Sequence, residues 1–240
     1  MAVIGIAGLC QNTIFRSINK QTQQNFLESK LMTVKFTTCV AVIAVTGLFG
    51  AASGAHAAPL SVVDVAAPGT NCVFNATPIP NVPPPACQVV VNDSIGVFTP
   101  PGDIGAARLQ SRTYPGTAPA PAAGAMAYVY RVDLTAVKGV TAANCVTKLA
   151  LKFGPVVKLP YGASGTADVF VVTAGGLGSV KIASADQVGG TITFTFASPI
   201  CPGATSYFFG LASKSVKPVV EKATVSFSLG GSTKTGDRVP

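Results

Sequence analysis

Beyond residue 57 this chain has a narrow chemical vocabulary: four cysteines, seven aspartates and Glu221, with neither histidine nor tryptophan. A carboxylate pair can hydrolyse a glycosidic bond, and clustered carboxylates can hold calcium. Asp64, Asp93, Asp103, Asp133, Asp168, Asp186 and Asp237 carry no D-x-D or D-T-G spacing and no EF-hand pattern. A single Asp beside glycine, such as Asp103 in P-G-D-I-G, is more often a turn-former. Ser-His-Asp and Cys-His catalysis lack their base. The G-A-S-G-T run at residues 162–166 lacks the final glycine of a nucleophile elbow. The G-G-L-G-S run at 175–179 lacks the Lys-Ser/Thr of a phosphate loop and reads as a hairpin turn. Nothing points to a Ser–Lys hydrolase. The sequence names no catalytic, cofactor-binding or metal-ligating residue, and the expectation is a non-enzyme without a cofactor.

Cys72, Cys87, Cys145 and Cys201 allow three disulfide connectivities. Pairing Cys72 with Cys87 and Cys145 with Cys201 is preferred. The first pair closes a Pro-rich loop with no core of its own, and closing about 15 residues contributes roughly 3 kcal/mol in the chain-entropy model. Zinc is disfavoured, because no C-x-x-C pair or histidine accompanies these thiols.

Disulfides imply an oxidising compartment, and the amino-terminal region agrees. Residues 32–57 read as a signal peptide: Lys35, an apolar run from Cys39 to Phe49, and the small-x-small site Ala55-His56-Ala57. Cleavage after Ala57 removes the chain's one histidine. Residues 1–31 then read as a leader produced by an early start codon, with Met32 as the initiator, in preference to an extended signal peptide with a targeting function. A secreted, periplasmic or cell-surface location follows, with no stable membrane span after cleavage. Residues 58–240 carry 13 basic and 8 acidic side chains, a net +5 without any block of like charge. Nucleic-acid binding would concentrate them, so no such partner is expected. Asn75 and Asn92 head N-x-S/T acceptors, relevant only in a glycosylating host.

The elements that must position these residues are strands. Leu149, Leu151 and Phe153 alternate with Lys148 and Lys152. Ile192, Phe194 and Phe196 alternate with Thr191, Thr193 and Thr195, and Ala223, Val225, Phe227 and Leu229 with Thr224, Ser226 and Ser228. Tyr128, Tyr130, Val132 and Leu134 alternate with Arg131 and Asp133. A period of two marks half-buried antiparallel strands. The run V-F-V-V-T from Val169 is apolar on both faces and reads as a central strand. No convincing helical stripe is present. The expected fold is all-β: a single antiparallel β-sandwich domain over 58–240, stapled by disulfides, with an extended, mobile Pro-rich loop at 113–124.

The most distinctive segment is P-I-C-P-G-A-T-S-Y-F-F-G-L-A-S, residues 199–213. Tyr207, Phe208 and Phe209 are the candidate ligand or partner surface, since adjacent aromatics can stack on sugars. The competing reading, two rings inward and one outward on a core strand, is the stronger. From Cys201 through F-F-G-L-A-S, within Thr191–Leu229, the chain resembles the carboxy-terminal part of uncharacterised bacterial exported proteins. That resemblance implies no activity.

The leading expectation is an exported structural or interaction protein whose partner is a surface polysaccharide or another envelope protein. A carbohydrate-binding module with Tyr114, Tyr128, Tyr130, Tyr161 or Tyr207 as platforms is the alternative. A hydrolase using carboxylates or a Ser–Lys pair comes third.

Overall fold

The alternating strands pair into two six-stranded sheets. The first has the order β1 (Ala58–Leu60), β12 (Ile182–Val188), β13 (Thr191–Ile200), β8 (Val146–Lys152), β15 (Val219–Phe227) and β16 (Ser232–Val239), antiparallel throughout. The second has the order β2 (Val62–Ala66), β11 (Val169–Ala174), β14 (Phe209–Ser213), β6 (Met126–Asp133), β5 (Ala107–Pro115) and β3 (Asn92–Phe98). It is antiparallel except for β2, which runs parallel to β11. Two short pairs complete the strands, β4 (Asp103–Ile104) with β7 (Lys138–Gly139) and β9 (Leu159–Gly162) with β10 (Gly165–Ala167). One helix, α1 (Ala67–Phe74), follows β2. These elements belong to a computed structural model that describes residues 57–82, 86–139, 143–162 and 165–240. The signal peptide at 32–57 thus lies, except for Ala57, outside the described residues, as does the whole of the 1–31 leader.

The inner faces meet in a core that draws on both sheets. Leu149, Leu151, Ile192, Phe194, Phe196, Ala223, Val225 and Phe227 come from the first sheet, and Leu109, Tyr128, Tyr130, Val132, Val169, Val171, Phe209 and Leu211 from the second. The fold is therefore the expected all-β sandwich. Phe194 sits between Tyr130 and Phe209, with ring centroids 6.4 and 4.8 Å away. Burying an aromatic ring removes 150–250 Å² from water, several kcal/mol at about 25 cal/mol per Å². Both central tyrosines keep a partner for the hydroxyl: Tyr128 donates to the Ser215 carbonyl and Tyr130 to that of Arg238.

Strand β11 is buried on both faces, as its unbroken apolar run implies. A second apolar cluster lies on the outer face of the second sheet, where α1, the β9–β10 pair and residues 116–125 cover Val129, Phe170, Val172 and Ala212. Pro68 falls in the first turn of α1, where a missing N–H is no loss. The helix ends at Asn75, and Phe74 is fully buried against Tyr114, 5.1 Å between centroids in an edge-on arrangement. Gly210 leaves room for this layer: a Cβ there would lie 2.7 Å from the Phe170 ring.

Both disulfides form with the preferred pairing, Cys72–Cys87 and Cys145–Cys201. The first ties α1 to the chain leading into β3. The second joins the ends of the paired strands β8 and β13. Disulfides and the absence, among the described residues, of any helix long and apolar enough to cross a membrane are compatible with an extracellular or periplasmic protein.

Three local expectations are corrected. Thr113–Pro115 belong to β5, and residues 116–125 are wound into consecutive turns rather than extended. Their amides bond inward, Thr117 to the Phe74 carbonyl and Ala122 to that of Val73, and the small side chains of Ala120, Ala122 and Ala125 fit beneath the layer. The glycine run at 175–179 is not a hairpin, because it carries the chain from β11 in one sheet to β12 in the other. Leu229 is 63% exposed, since β15 stops at Phe227 before the turn at Gly230 and Gly231.

Candidate binding surface

Two strands, β5 and β6, run from the covered part of the outer face onto an uncovered part. At the covered end their outward residues are Tyr114, Ala127 and Val129. At the other end they are Arg108, Gln110, Arg112, Arg131 and Asp133, placed side by side by the pairs Arg108↔Asp133 and Gln110↔Arg131. Strand β3 adds Asp93, Ile95 and Val97, opposite Arg112, Gln110 and Arg108. Ile95 and Val97 are 55% and 60% exposed. Three of the four arginines beyond residue 57 therefore share one open face, although the lysines are spread along the whole sequence.

The arginines are held in place. Arg112 Nε donates to Asp93 at 2.8 Å, and Gln110, with its amide oxygen turned toward Arg112, accepts from Nη2 at 3.1 Å. Arg131 Nη2 donates to Asp133 at 2.9 Å. Both guanidinium groups lie over the Phe208 ring, at 4.5 and 5.2 Å from its centroid. Burial pushes the Asp133 carboxyl up. The Thr135 hydroxyl and amide, followed by Arg131 and Arg108, outweigh this and hold it below the ordinary carboxylate range. The part-exposed Arg112–Asp93 pair contributes about 0–1 kcal/mol, Arg131–Asp133 is more sheltered, and a cation over a ring adds about 0.5–1 kcal/mol. The face is thus a preset array of charge rather than a source of stability.

Next to it, between α1 and the turn after β11, lies a cleft of about 240 Å³. Val129, Phe170, Val172 and Phe208 form its floor. Arg112 and Asn71 line it as well, and the exposed Leu177 and Val91 form the rim.

Tyr207, Phe208 and Phe209 do not form an exposed aromatic surface. Phe209 faces the inter-sheet core, Phe208 faces the outer layer beneath the two arginines, and Tyr207 is half-buried against the core. The alternation of a strand end splits the three rings between faces. Phe208 nonetheless lines the cleft. The tyrosines named as sugar platforms are corrected likewise: Tyr114, Tyr128, Tyr130 and Tyr161 are buried, because their rings fill the two cores. Burial raises the hydroxyl pKa of all four.

The carboxylates are dispersed. Asp64 pairs with Lys181 at 3.1 Å. Asp168 accepts from the Ser61 amide and hydroxyl at 2.9 and 2.7 Å, with Lys158 at 3.6 Å. Asp186 accepts from Ser184 at 3.4 Å. Asp103 and Asp237 are buried with no hydrogen-bond partner of good geometry among the described residues. Burial pushes the Asp237 carboxyl up to about 8, and the nearby Arg238 amide and Ser111 hydroxyl offset this only in part. Among the described residues no three His, Cys, Asp or Glu side chains gather as metal ligands.

The arginine face escaped sequence reasoning, because Arg108, Arg112 and Arg131 are neighbours only through strand pairing. The available signal was that Arg108, Gln110 and Arg112 alternate with Leu109 and Ser111, which puts them on one side of a strand. Comparison with known proteins gives no matching family model, no matching curated protein and no matching solved structure.

Proposed function

We propose that this chain is an exported, non-enzymatic interaction protein that holds an acidic surface polysaccharide on the open face of β3, β5 and β6. The observation that carries this reading is the gathering of Arg108, Arg112 and Arg131 around Gln110 on an uncovered sheet face. Arginine offers a planar fork that matches a uronate carboxylate. The Gln110 amide can serve sugar hydroxyls, and exposed Ile95 and Val97 offer contact to the apolar face of a pyranose ring. Three cations against Asp93 and Asp133 favour an anionic chain over a neutral one. Export is supported by the basic, apolar and A-H-A succession before Ala58 and by the two disulfides. A non-enzymatic role is supported by the scatter of the carboxylates and the lack of histidine beyond residue 57.

The test is affinity electrophoresis of the exported protein in gels containing polygalacturonate or alginate, with dextran as the neutral control. The protein should begin at Ala58 and be retarded by the acidic polymers only. Salt should weaken the retardation, and Arg108→Glu should abolish it. Equal mobility in all three gels, or retention by an envelope protein instead, would overturn the polysaccharide reading.

A further inference from the structure

The cleft beside the arginine face has properties that a polysaccharide does not need. Its floor is apolar, with Val129 from β6, Phe170 and Val172 from β11, and Phe208 from the residue before β14. Its rim is apolar as well: Leu177 is 65% and Val91 38% exposed. Apolar side chains left around a concavity are a common mark of a ligand site. At about 240 Å³ the space is below the roughly 300–1,000 Å³ of drug-sized pockets. It fits one ring or a short acyl chain.

One charged group defines the rest. Arg112 stands in the wall, with Nε committed to Asp93 and Nη2 to Gln110. A guanidinium carries five N–H donors, and among the described residues no protein acceptor meets Nη1. A cation on an apolar floor with donors to spare selects an anion and repels a second cation. Asp93, 2.8 Å from Arg112 Nε, disfavours a ligand with more than one negative charge. Thr70 adds little polarity, because its hydroxyl donates to the Ala66 carbonyl.

We infer that this cleft binds a small amphipathic monocarboxylate, its apolar body on Phe170, Val172 and Phe208 and its carboxylate on the Nη1 side of Arg112. The inference shares Arg112 with the polysaccharide reading but does not depend on it. The ligand is a separate molecule in a separate concavity.

The experiment is titration of the ¹⁵N-labelled exported protein with hexanoate and benzoate, with 1-hexanol and benzyl alcohol as uncharged counterparts. A fragment of this size needs only about −4 kcal/mol for a Kd of roughly 1 mM. Amide shifts should centre on Asn71 and Gly175–Leu177, and the carboxylates should bind at least about tenfold tighter than the alcohols, the worth of one charge-assisted contact. Arg112→Gln should remove that advantage while leaving alcohol binding within about twofold, and Arg112→Lys should keep part of it. Ala67→Leu, which fills the cleft from the helix side, should weaken all four probes, with the remaining amide spectrum reporting an intact fold. No shifts at about 10 mM probe, shifts centred elsewhere, or equal affinity for acid and alcohol would overturn the inference. Arg108→Glu lies outside the cleft and should leave hexanoate binding intact while abolishing polysaccharide retention. Loss of one activity alone therefore shows which reading has failed.

Discussion

The outer face of the second sheet has two halves, one covered and one bare. Over β2, β11 and β14 it carries Phe170, Val172 and Ala212, capped by α1, the β9–β10 pair and the turns at 116–125. Over β3, β5 and the far end of β6 it carries arginines, Gln110 and exposed Ile95 and Val97, capped by nothing among the described residues. The inner side changes less. Beneath the covered half lie Val169, Val171, Phe209 and Leu211. Beneath the bare half Phe98, Leu109, Tyr130 and Val132 belong to the same core, and buried Ser111, Thr113, Thr235 and Asp237 join it toward β16. There β3 and β16, edge strands of opposite sheets, approach so closely that a Cβ on Gly96 would lie 2.2 Å from the Gly236 carbonyl oxygen. Arg238 fastens this seam by donating to the carbonyls of Asn92 and Asp93. Both halves rest on the inter-sheet core, the bare one with a polar seam added at its edge, and only the bare half has an outer face free to bind.

The largest expected difference comes from deleting a ring in the covered half. Phe170 is 1% exposed and touches Tyr161, Phe74 and the space above Gly210. Phe170→Ala should cost about 3–5 kcal/mol in denaturant melts, as a buried ring leaving a cavity does. Phe194→Ala in the inter-sheet core should cost a similar amount. A loss at Phe170 below about 1 kcal/mol would mean that the outer layer is a loose cover, and the two halves would not differ as described.

Where one face of a strand meets water, the sequence revealed the fold; where both faces are covered, it revealed less. Strands β8, β13 and β15 each have a wet face, so Leu149, Phe194 and Val225 announced their side by alternation, whereas β6 is wet only toward Arg131 and Asp133. Strand β11 announced itself by lacking alternation. The disulfide pairing followed from loop closure. Helix α1 was invisible because eight residues that include Pro68 and Gly69 show no stripe, and a disulfide and Phe74 packing hold it rather than propensity. The parallel β2–β11 pair and the crossing at 175–179 are long-range choices with no local signature. The aromatic triplet misled for a related reason: Tyr207, Phe208 and Phe209 are adjacent in sequence and opposed in space. The arginine face is the converse, distant in sequence and adjacent in space.

The next largest effect should come from Asp237, a buried carboxyl with no hydrogen-bond partner of good geometry among the described residues. The folded-state pKa of Asp237 is raised from an ordinary 3.8 to about 8 by burial, so the native protein keeps a proton that the unfolded chain releases. Between about pH 4 and 8 the native state binds more protons, and Asp237 makes stability fall as pH rises, with no further change above 8. Asp237→Asn removes this slope. The variant should match the wild type near pH 4 and exceed it at pH 8 by about 1–3 kcal/mol, the cost of an unpaired buried polar group. Asp133, held below the ordinary carboxylate value, loses its contribution only as pH falls beneath that window. Parallel pH profiles for wild type and variant would show that Asp237 is ionised and paired in solution, and the seam would be an ordinary polar edge.

The smallest effect is the sharpest test of the division. Ile95 and Val129 both point outward from the second sheet, Ile95 on the bare half and Val129 under the cover at 4% exposure. Threonine keeps the β-branch, so the change to Thr at either site leaves strand propensity nearly untouched and alters only what the side chain meets. At Ile95 the new hydroxyl faces water, and stability should stay within about 0.5 kcal/mol. At Val129 it would be buried beside Phe170 and Phe208 without a partner, costing about 1–3 kcal/mol. Equal losses at the two sites would mean that something covers Ile95 in solution, and a covered face cannot be the one that receives a polysaccharide. A negligible loss at Ile95 beside a clear one at Val129 would leave β3 and the outer ends of β5 and β6 as the half whose residues are chosen for contact rather than for folding.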